Sequence, residues 1–192
     1  MYSLENVSFG YQEPIFENAT LQINERKIGI VGENGIGKTT LLKILNNELE
    51  PQNGKVVIDQ PTYRVNFDLQ KYKKFTISDF ISIAKKMKSF DCTNLDKYIE
   101  LLNLNKYLEF TIGQLSKGTA KKVSLLLGFL TKDRVLLLDE PFEALDEKTN
   151  LNLVNVFSKT DRNMIIVSHD YNMLKESVDI IYEVADKTLK VR

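Results

Sequence analysis

The segment Gly32-Glu-Asn-Gly-Ile-Gly-Lys-Thr39 packs three glycines, a lysine and a hydroxyl into eight consecutive positions. These residue types at this spacing suit a phosphate chain. Glycines let the backbone curl with its N–H groups turned inward on an anion, and the start of a following helix adds partial positive charge. The lysine of such a loop reaches the β- and γ-phosphates of a nucleoside triphosphate, and the threonine hydroxyl ligates Mg²⁺. The segment fits GxxxxGK[ST] without a mismatch, so Asn34, Gly35, Gly37, Lys38, Thr39 and Thr40 are the candidate phosphate contacts. A second constellation is Val135-Leu-Leu-Leu-Asp139-Glu140, an apolar run that ends in two carboxylates. Asp139 is placed to hold Mg²⁺ through water. Glu140, one step further out, is placed to polarise an attacking water.

Such groups work only if secondary structure delivers them to one edge. Ile28–Val31 reads as a short buried strand running into the glycine loop, and Lys38–Asn46 as the helix leaving it, with Leu41, Leu42 and Leu45 inward. Alternating apolar positions predict strands through Tyr2, Leu4, Val7 and Phe9 and through Ala19, Leu21 and Ile23. Pro51–Gly54 reads as a turn, Lys55–Ile58 and Tyr63–Phe67 as further strands. From Thr76 to Gly113, Leu, Ile, Tyr and Lys recur at helical spacing, which predicts two or three helices. A helix over Ser116–Leu130, a buried strand at Val135–Leu138 and a helix from Glu147 follow. Next come a buried strand at Met164–Val167, a short helix, and a closing hairpin, Ile180–Val184 with Leu189–Val191. All-apolar strands alternating with helices imply a mostly parallel sheet covered on both faces.

Composition narrows the functions. The 192 residues are 43% hydrophobic, and 26 basic side chains balance 26 acidic ones. Zero net charge argues against a nucleic-acid partner, and the clusters Lys71–Lys74 and Lys85–Lys88 read as solvated faces. The single cysteine, Cys92, excludes an internal disulfide and suits a reducing compartment. The opening residues lack the basic-then-apolar pattern of a signal peptide. The longest nearly apolar run, Val123–Leu130, is far shorter than the ~18–20 residues of a spanning helix. Work at a membrane would therefore require docking onto a chain that spans it.

Further motifs carry a family resemblance. Leu115-Ser-Lys-Gly-Thr119 resembles the signature of ATP-binding-cassette (ABC) ATPases, commonly LSGGQ. Glu143-Ala-Leu-Asp146 resembles the D-loop, Ile165-Ile-Val-Ser-His169-Asp170 the switch histidine, and Gly10-Tyr11 the aromatic A-loop. The motifs run from Phe9 to Asp170 in family order, so the chain is similar to an ABC ATPase over nearly its whole length. The resemblance implies an α/β fold: a P-loop NTPase core with a mostly parallel sheet, an N-terminal antiparallel β subdomain and a helical insertion subdomain. It implies one nucleotide-binding domain over 1–192, its helical part about 76–130, with no regulatory C-terminal domain. Tyr11 would stack on adenine. His169, the only histidine, would brace the γ-phosphate, and Glu140, His169 and Lys38 would be the catalytic residues. Ser116 and Gly118 would bind the γ-phosphate held by a second ABC ATPase subunit, in a homo- or heterodimer that sandwiches two ATP. Gln70 would be the Q-loop metal ligand, with Asp68 the alternative. A separate transmembrane permease subunit would be the partner, the chain lying in the cytoplasm, peripheral on the inner face of the cell membrane.

The signature departs from the common form at Lys117, for glycine, and Thr119, for glutamine. A lysine there also occurs in exporter ATPases of the ABC-2 type, which points to export. The alternatives are a soluble ABC ATPase without a transporter and a non-hydrolysing member of a heterodimer. A phosphate-loop kinase or GTPase is a further rival; against the GTPase, Asn105-Lys106-Tyr107-Leu108 lacks the aspartate of an NKxD-like guanine reader.

Overall fold

The computed structural model describes residues 2–65 and 68–192, and of Gln70 the backbone alone. The chain forms two compact units. The first comprises Met1–Arg64, Val135–Pro141 and Val154–Arg192; the second comprises Val65–Arg134 and Phe142–Leu153.

The first unit is built on two sheets. β1 (Tyr2–Gly10), β2 (Pro14–Ile23) and β4 (Asn53–Ile58) form an antiparallel sheet in the order β2-β1-β4. Leu4, Val7 and Phe9 are buried on one face; a register shift between Leu4 and Val7 restores the alternation that their three-residue spacing would break. β4 begins at Asn53 rather than Lys55. The expected turn is narrower because Gln52 and Asn53 already pair with Ser8, and Gln52 also donates to the Gly10 carbonyl at 3.0 Å.

The second sheet has the order β5-β6-β7-β3-β8-β9, with β3 (Lys27–Val31), β5 (Thr62–Arg64), β6 (Val135–Asp139), β7 (Met164–Val167), β8 (Ile180–Ala185) and β9 (Thr188–Val191). All pairings are parallel except the closing β8–β9 hairpin. β6 and β7 carry Val135, the three leucines, Met164, Ile165, Ile166 and Val167, all buried on both faces. Each such side chain contributes roughly 1.5–3 kcal/mol of transfer free energy, which is why these runs need no polar alternation. β5 is shorter than the expected Tyr63–Phe67; it pairs with β6 only from Thr62↔Val135 to Arg64↔Leu137, and Asn66 and Phe67 lie outside the described residues. Helix α1 (Lys38–Leu45) buries Leu41, Leu42, Ile44 and Leu45 in a core shared with both sheets.

The second unit is helical. It holds α2 (Ile77–Lys86), α3 (Leu95–Leu101), α4 (Lys117–Leu130) and the first turns of α5 (Glu147–Lys159). α2 starts with a capping box: the Thr76 hydroxyl accepts from the Asp79 N–H at 3.0 Å and the Asp79 carboxylate from the Thr76 N–H at 2.8 Å. Such a box satisfies two otherwise orphaned donors. α2 and α3 both pack on α4. Short 3₁₀ turns at Asn105–Tyr107 and Ile112–Gln114 take the place of a third helix before α4. Helix α6 (Tyr171–Ser177) belongs to the first unit and packs on β3.

Candidate active site

The carboxyl ends of parallel strands are where an open α/β sheet presents functional groups. β3 ends at Val31 and passes into the glycine loop. Gly35 (φ 82°) and Gly37 (φ 111°) take left-handed backbone conformations there, which side chains other than glycine resist. A Cβ on Gly37 would stand 2.3 Å from Ile15 Cγ2, so the loop is seated against the β1–β2 hairpin. A Cβ on Gly35 would meet nothing within 4 Å, so that side of the loop is open. Lys38 is 7% exposed, and its ammonium donates to the Gly32 and Glu33 carbonyls, both at 2.8 Å.

Two other strand ends complete the group. Asp139, the last residue of β6, accepts from the Thr39 hydroxyl at 2.8 Å. β7 lies between β3 and β6 and delivers His169 just beyond its end. Glu140 leaves the sheet with φ 51°, its N–H donating to the Val167 carbonyl at 2.8 Å. Its Oε2 accepts from the His169 backbone N–H at 3.2 Å and meets His169 Nδ1 at 2.9 Å. A carboxylate can only accept, so Nδ1 carries the proton of that contact. Asn34, Gly35, Gly37, Lys38, Thr39, Thr40, Asp139 and Glu140 line one cleft of about 250 Å³.

The cleft fits a triphosphate with Mg²⁺. Lys38, the loop residues Asn34, Gly35 and Gly37 and the first residues of α1 line the cleft, and the Thr39 hydroxyl and Asp139 carboxylate form a hard-oxygen pair. Mg²⁺ takes few protein ligands and completes its shell with phosphate oxygens and water.

Tyr11 stands at the β1–β2 turn, 63% exposed, its ring edge-on to Phe9 at 5.2 Å. Ile15 of the same hairpin contacts the loop at Gly37, so the tyrosine is carried on the element that abuts the phosphate loop.

The second unit holds the remaining candidates. Ser116 caps α4: its hydroxyl accepts from the Thr119 N–H at 3.1 Å and lies 2.9 Å from the Thr119 hydroxyl. Gly118 is tightly approached, since a Cβ there would stand 2.5 Å from the Ala144 carbonyl oxygen. Lys121, buried in α4, donates to the Glu143 carbonyl at 2.8 Å, and Lys122 pairs with Asp146 at 2.6 Å. Asp146 also accepts from the Thr149 N–H and hydroxyl at the start of α5. The Lys122 hydrogen bond, followed by those of Thr149, holds its carboxyl well below the usual carboxylate range. Lys121 and Lys122 were not singled out from sequence; their signal was only a pair of lysines one turn into the signature helix. The Gln70 side chain lies outside the described residues; its backbone belongs to a 3₁₀ turn, Gln70–Tyr72, and Asp68 is exposed.

Comparison with known proteins gives the family. The model of the ABC transporter family matches residues 16–143. The chain belongs to the ABC transporter family. It carries that family's ATPase cassette, the match running from Phe16 to Glu143. ATP-binding protein Uup of Buchnera aphidicola is 31% identical over 91% of this chain, but the match covers only 31% of Uup. The chain spans about a third of the length of the first curated relatives it matches. The lipoprotein-releasing system ATP-binding protein LolD of Rickettsia conorii is 28% identical, with 98% of this chain and 96% of LolD covered. Among solved structures, a dimeric ABC transporter cassette, MJ0796, superposes with a TM-score of 0.83 at 22% identity, covering 99% of this chain and 97% of that one. That likeness shows the cassette fold: a mostly parallel core sheet, an antiparallel N-terminal sheet and helices.

Proposed function

We propose that this chain binds and hydrolyses ATP with Mg²⁺, as one of two ABC ATPase subunits that drive transport through a separate transmembrane permease. The observation that carries the reading is the convergence of Lys38, Thr39, Asp139, Glu140 and His169 on one strand edge. Lys38 and the loop N–H groups neutralise the phosphates and hold them in line. Thr39 and Asp139 would hold Mg²⁺, which when bound offsets charge on the phosphate oxygens. Glu140, positioned by His169, accepts the proton of the attacking water. Tyr11 supplies an aromatic face for adenine. Ser116 and Gly118 serve a nucleotide held by a second subunit, homo- or heterodimeric. Gln70 is the proposed Q-loop ligand, with Asp68 as the alternative. The domain is taken as 1–192 with a helical part about 76–130.

No helix among the described residues is long and apolar enough to cross a membrane; in this proposal the permease supplies the transmembrane path and the cassette works on the inner membrane face. Export rests on Lys117 in the signature and on the likeness to LolD, whose name describes a releasing system. A soluble, non-transport ABC ATPase is the second reading; it is favoured by this chain matching only about a third of the length of its first relatives. The intact Glu140–His169 contact speaks against a non-hydrolysing member.

The test is ATP-dependent association of parent and Glu140→Gln, followed by size exclusion with light scattering. The variant should form a lasting dimer with ATP and Mg²⁺, not with ADP, while turning over slowly. A variant that binds ATP yet stays monomeric would sink the self-closing dimer. Co-purification with a membrane protein rather than ribosomes or DNA separates the two readings.

A further inference from the structure

The end of β5 carries a guanidinium close to the proposed cation ligands. In the parallel β5–β6 pair Arg64 lies opposite Leu137, and Asp139 is two residues further along β6. Side chains two apart in a strand share a face, so Arg64, Leu137 and Asp139 project on the same side of the sheet. That side is the one α1 covers, because Thr39, in the first turn of α1, donates to Asp139 at 2.8 Å. Diagonal neighbours on one sheet face stand about 7–8 Å apart, within reach of a long side chain. An arginine here can therefore turn its planar fork onto the Asp139 carboxylate, a geometry that guanidinium and carboxylate favour.

The fork is turned elsewhere. Arg64 Nε donates to Glu48 Oε1 at 2.6 Å and Nη2 donates to Oε2 at 2.7 Å. Glu48 is itself braced just past the end of α1. Its backbone N–H donates to the Lys43 carbonyl at 2.9 Å, and its Oε1 also accepts from Asn46 Nδ2 at 2.8 Å. Thr62, at the start of β5, donates to Asn46 Oδ1 at 2.8 Å and so ties the brace back to the strand that carries Arg64. The Glu48 hydrogen bond holds the guanidinium above its usual pKa against the opposing effect of burial, and the Asp139 charge acts in the same direction. The Arg64 and Glu48 side chains are 21% and 36% exposed, and an ion pair so near solvent adds little to stability. Four side chains nonetheless cooperate to fix where this one cation points.

We propose that Glu48 is a positioning residue for the cation site: it clamps Arg64 away from Asp139 and so keeps that carboxylate open to a divalent cation. Thr39 brings only a neutral hydroxyl to Asp139, which a cation can share or displace. A guanidinium on the same oxygens would bring a full positive charge and compete with the ion directly. Helix α1 thus acts at both ends, offering Thr39 to Asp139 at its start and holding Arg64 back beyond its last turn. This role rests on Thr39 and Asp139 being the cation ligands, and it adds to them a pair that sets the affinity without touching the ion.

The probe is Mn²⁺, which suits carboxylate and water ligands as Mg²⁺ does and is read by electron paramagnetic resonance. It is titrated into the full chain with a non-hydrolysable β,γ-imido analogue of ATP, in about 1 M KCl, where a screening length of about 3 Å suppresses the long-range field of the altered charges. Glu48→Gln should raise the Mn²⁺ dissociation constant about fivefold. Arg64→Met alone should leave it at the parent value, and Arg64→Met added to Glu48→Gln should restore it. Asn46→Ala, which loosens the brace but keeps both charges, should shift Mn²⁺ binding in the same direction by less, and it decides the matter if Glu48→Gln folds poorly. A purely structural pair would lower the melting temperature in each variant and leave the Mn²⁺ constant alone. Parent-like affinity in both Glu48→Gln and Asn46→Ala, weaker binding in Arg64→Met, or a double variant as weak as Glu48→Gln overturns the proposal. Asp139→Asn separates the two levels. If it leaves Mn²⁺ binding unchanged, the cation reading of Asp139 falls and the clamp with it; if it abolishes binding while Glu48→Gln and Asn46→Ala do nothing, only the clamp falls.

Discussion

Replacing Gly118 by alanine sets two effects of opposite sign against each other. In a helix, Gly→Ala ordinarily stabilises by up to about 1 kcal/mol, because alanine loses less backbone freedom on folding. Gly118 is the second residue of α4, within its frayed first turn, so the gain there falls short of that figure. The added Cβ would stand 2.5 Å from the Ala144 carbonyl oxygen, a backbone atom. Ordinary contact requires about 1 Å more. Ala144 is poorly placed to withdraw. It sits at φ 60°, with the Glu143 carbonyl tied to Lys121 and Asp146 tied to both Lys122 and Thr149. Overpacking against such a site costs typically about 1–3 kcal/mol. The expected net is a destabilisation of roughly 0.5–2 kcal/mol, read as a lower urea midpoint at unchanged slope. ATP-driven dimer formation should weaken as well, since Ser116 shares the displaced turn, while ATP binding stays at the parent level. A Gly118→Ala protein that unfolds at a higher urea concentration than the parent would refute the reasoning, because the helix-propensity gain would then stand unopposed. Gly35→Ala is the comparison: with nothing within 4 Å of its Cβ, only the left-handed backbone at φ 82° resists the change.

Three more outcomes are expected. The Tyr2 hydroxyl is buried without a hydrogen-bond partner among the described residues, so Tyr2→Phe should match or exceed parent stability, by up to ~1–2 kcal/mol. Burial pushes that phenol up to about 12 from its ordinary 10.0; its folded form holds the proton longer, so its share of stability is complete below pH 10.0 and lost between there and about 12, and urea titrations should show that alkaline loss in the parent but not in Tyr2→Phe. Asp146→Ala removes the α5 cap and should cost about 1 kcal/mol near neutrality. The Asp146 carboxyl is depressed in the folded chain, so its contribution is full above the ordinary carboxylate pKa and fades below it; the gap between parent and variant urea midpoints should close as pH falls below about 4. His169→Ala frees Glu140 from its 2.9 Å partner and should lower steady-state ATP turnover on the order of 10²-fold with fluorescent-nucleotide binding unchanged; undiminished turnover would remove His169 from the mechanism.

The glycine loop was legible in the sequence because local chemistry dictates it: positive-φ glycines, one lysine and one hydroxyl lie within a few residues. The buried strands β6 and β7 were legible for the same reason, since both faces are covered and every position is apolar. What escaped was set by pairing over distance. The start of β4 depended on Ser8 reaching across to Asn53, and the extent of β5 on its register with β6. Glu140 and His169 were named for separate tasks, whereas their direct contact follows from β7 lying beside β6. The grip of Lys121 and Lys122 on residues 143–146 joins segments with no shared local pattern.

Lys38 already spends two of its three hydrogens on the carbonyls of Gly32 and Glu33, and so acts as an internal strut. It cross-links the loop it belongs to, and the curvature that greets an anion is held in place beforehand. Little backbone ordering is then left to be done at the moment of binding, which favours tight association. The same strut complicates the commonest substitution at such a position. Lys38→Ala would remove a charge and also let two tethered carbonyl dipoles drift, so its loss of affinity would overstate the electrostatic worth of the ammonium. Lys38→Arg would keep the charge but force a broad planar group into a space measured for a compact one.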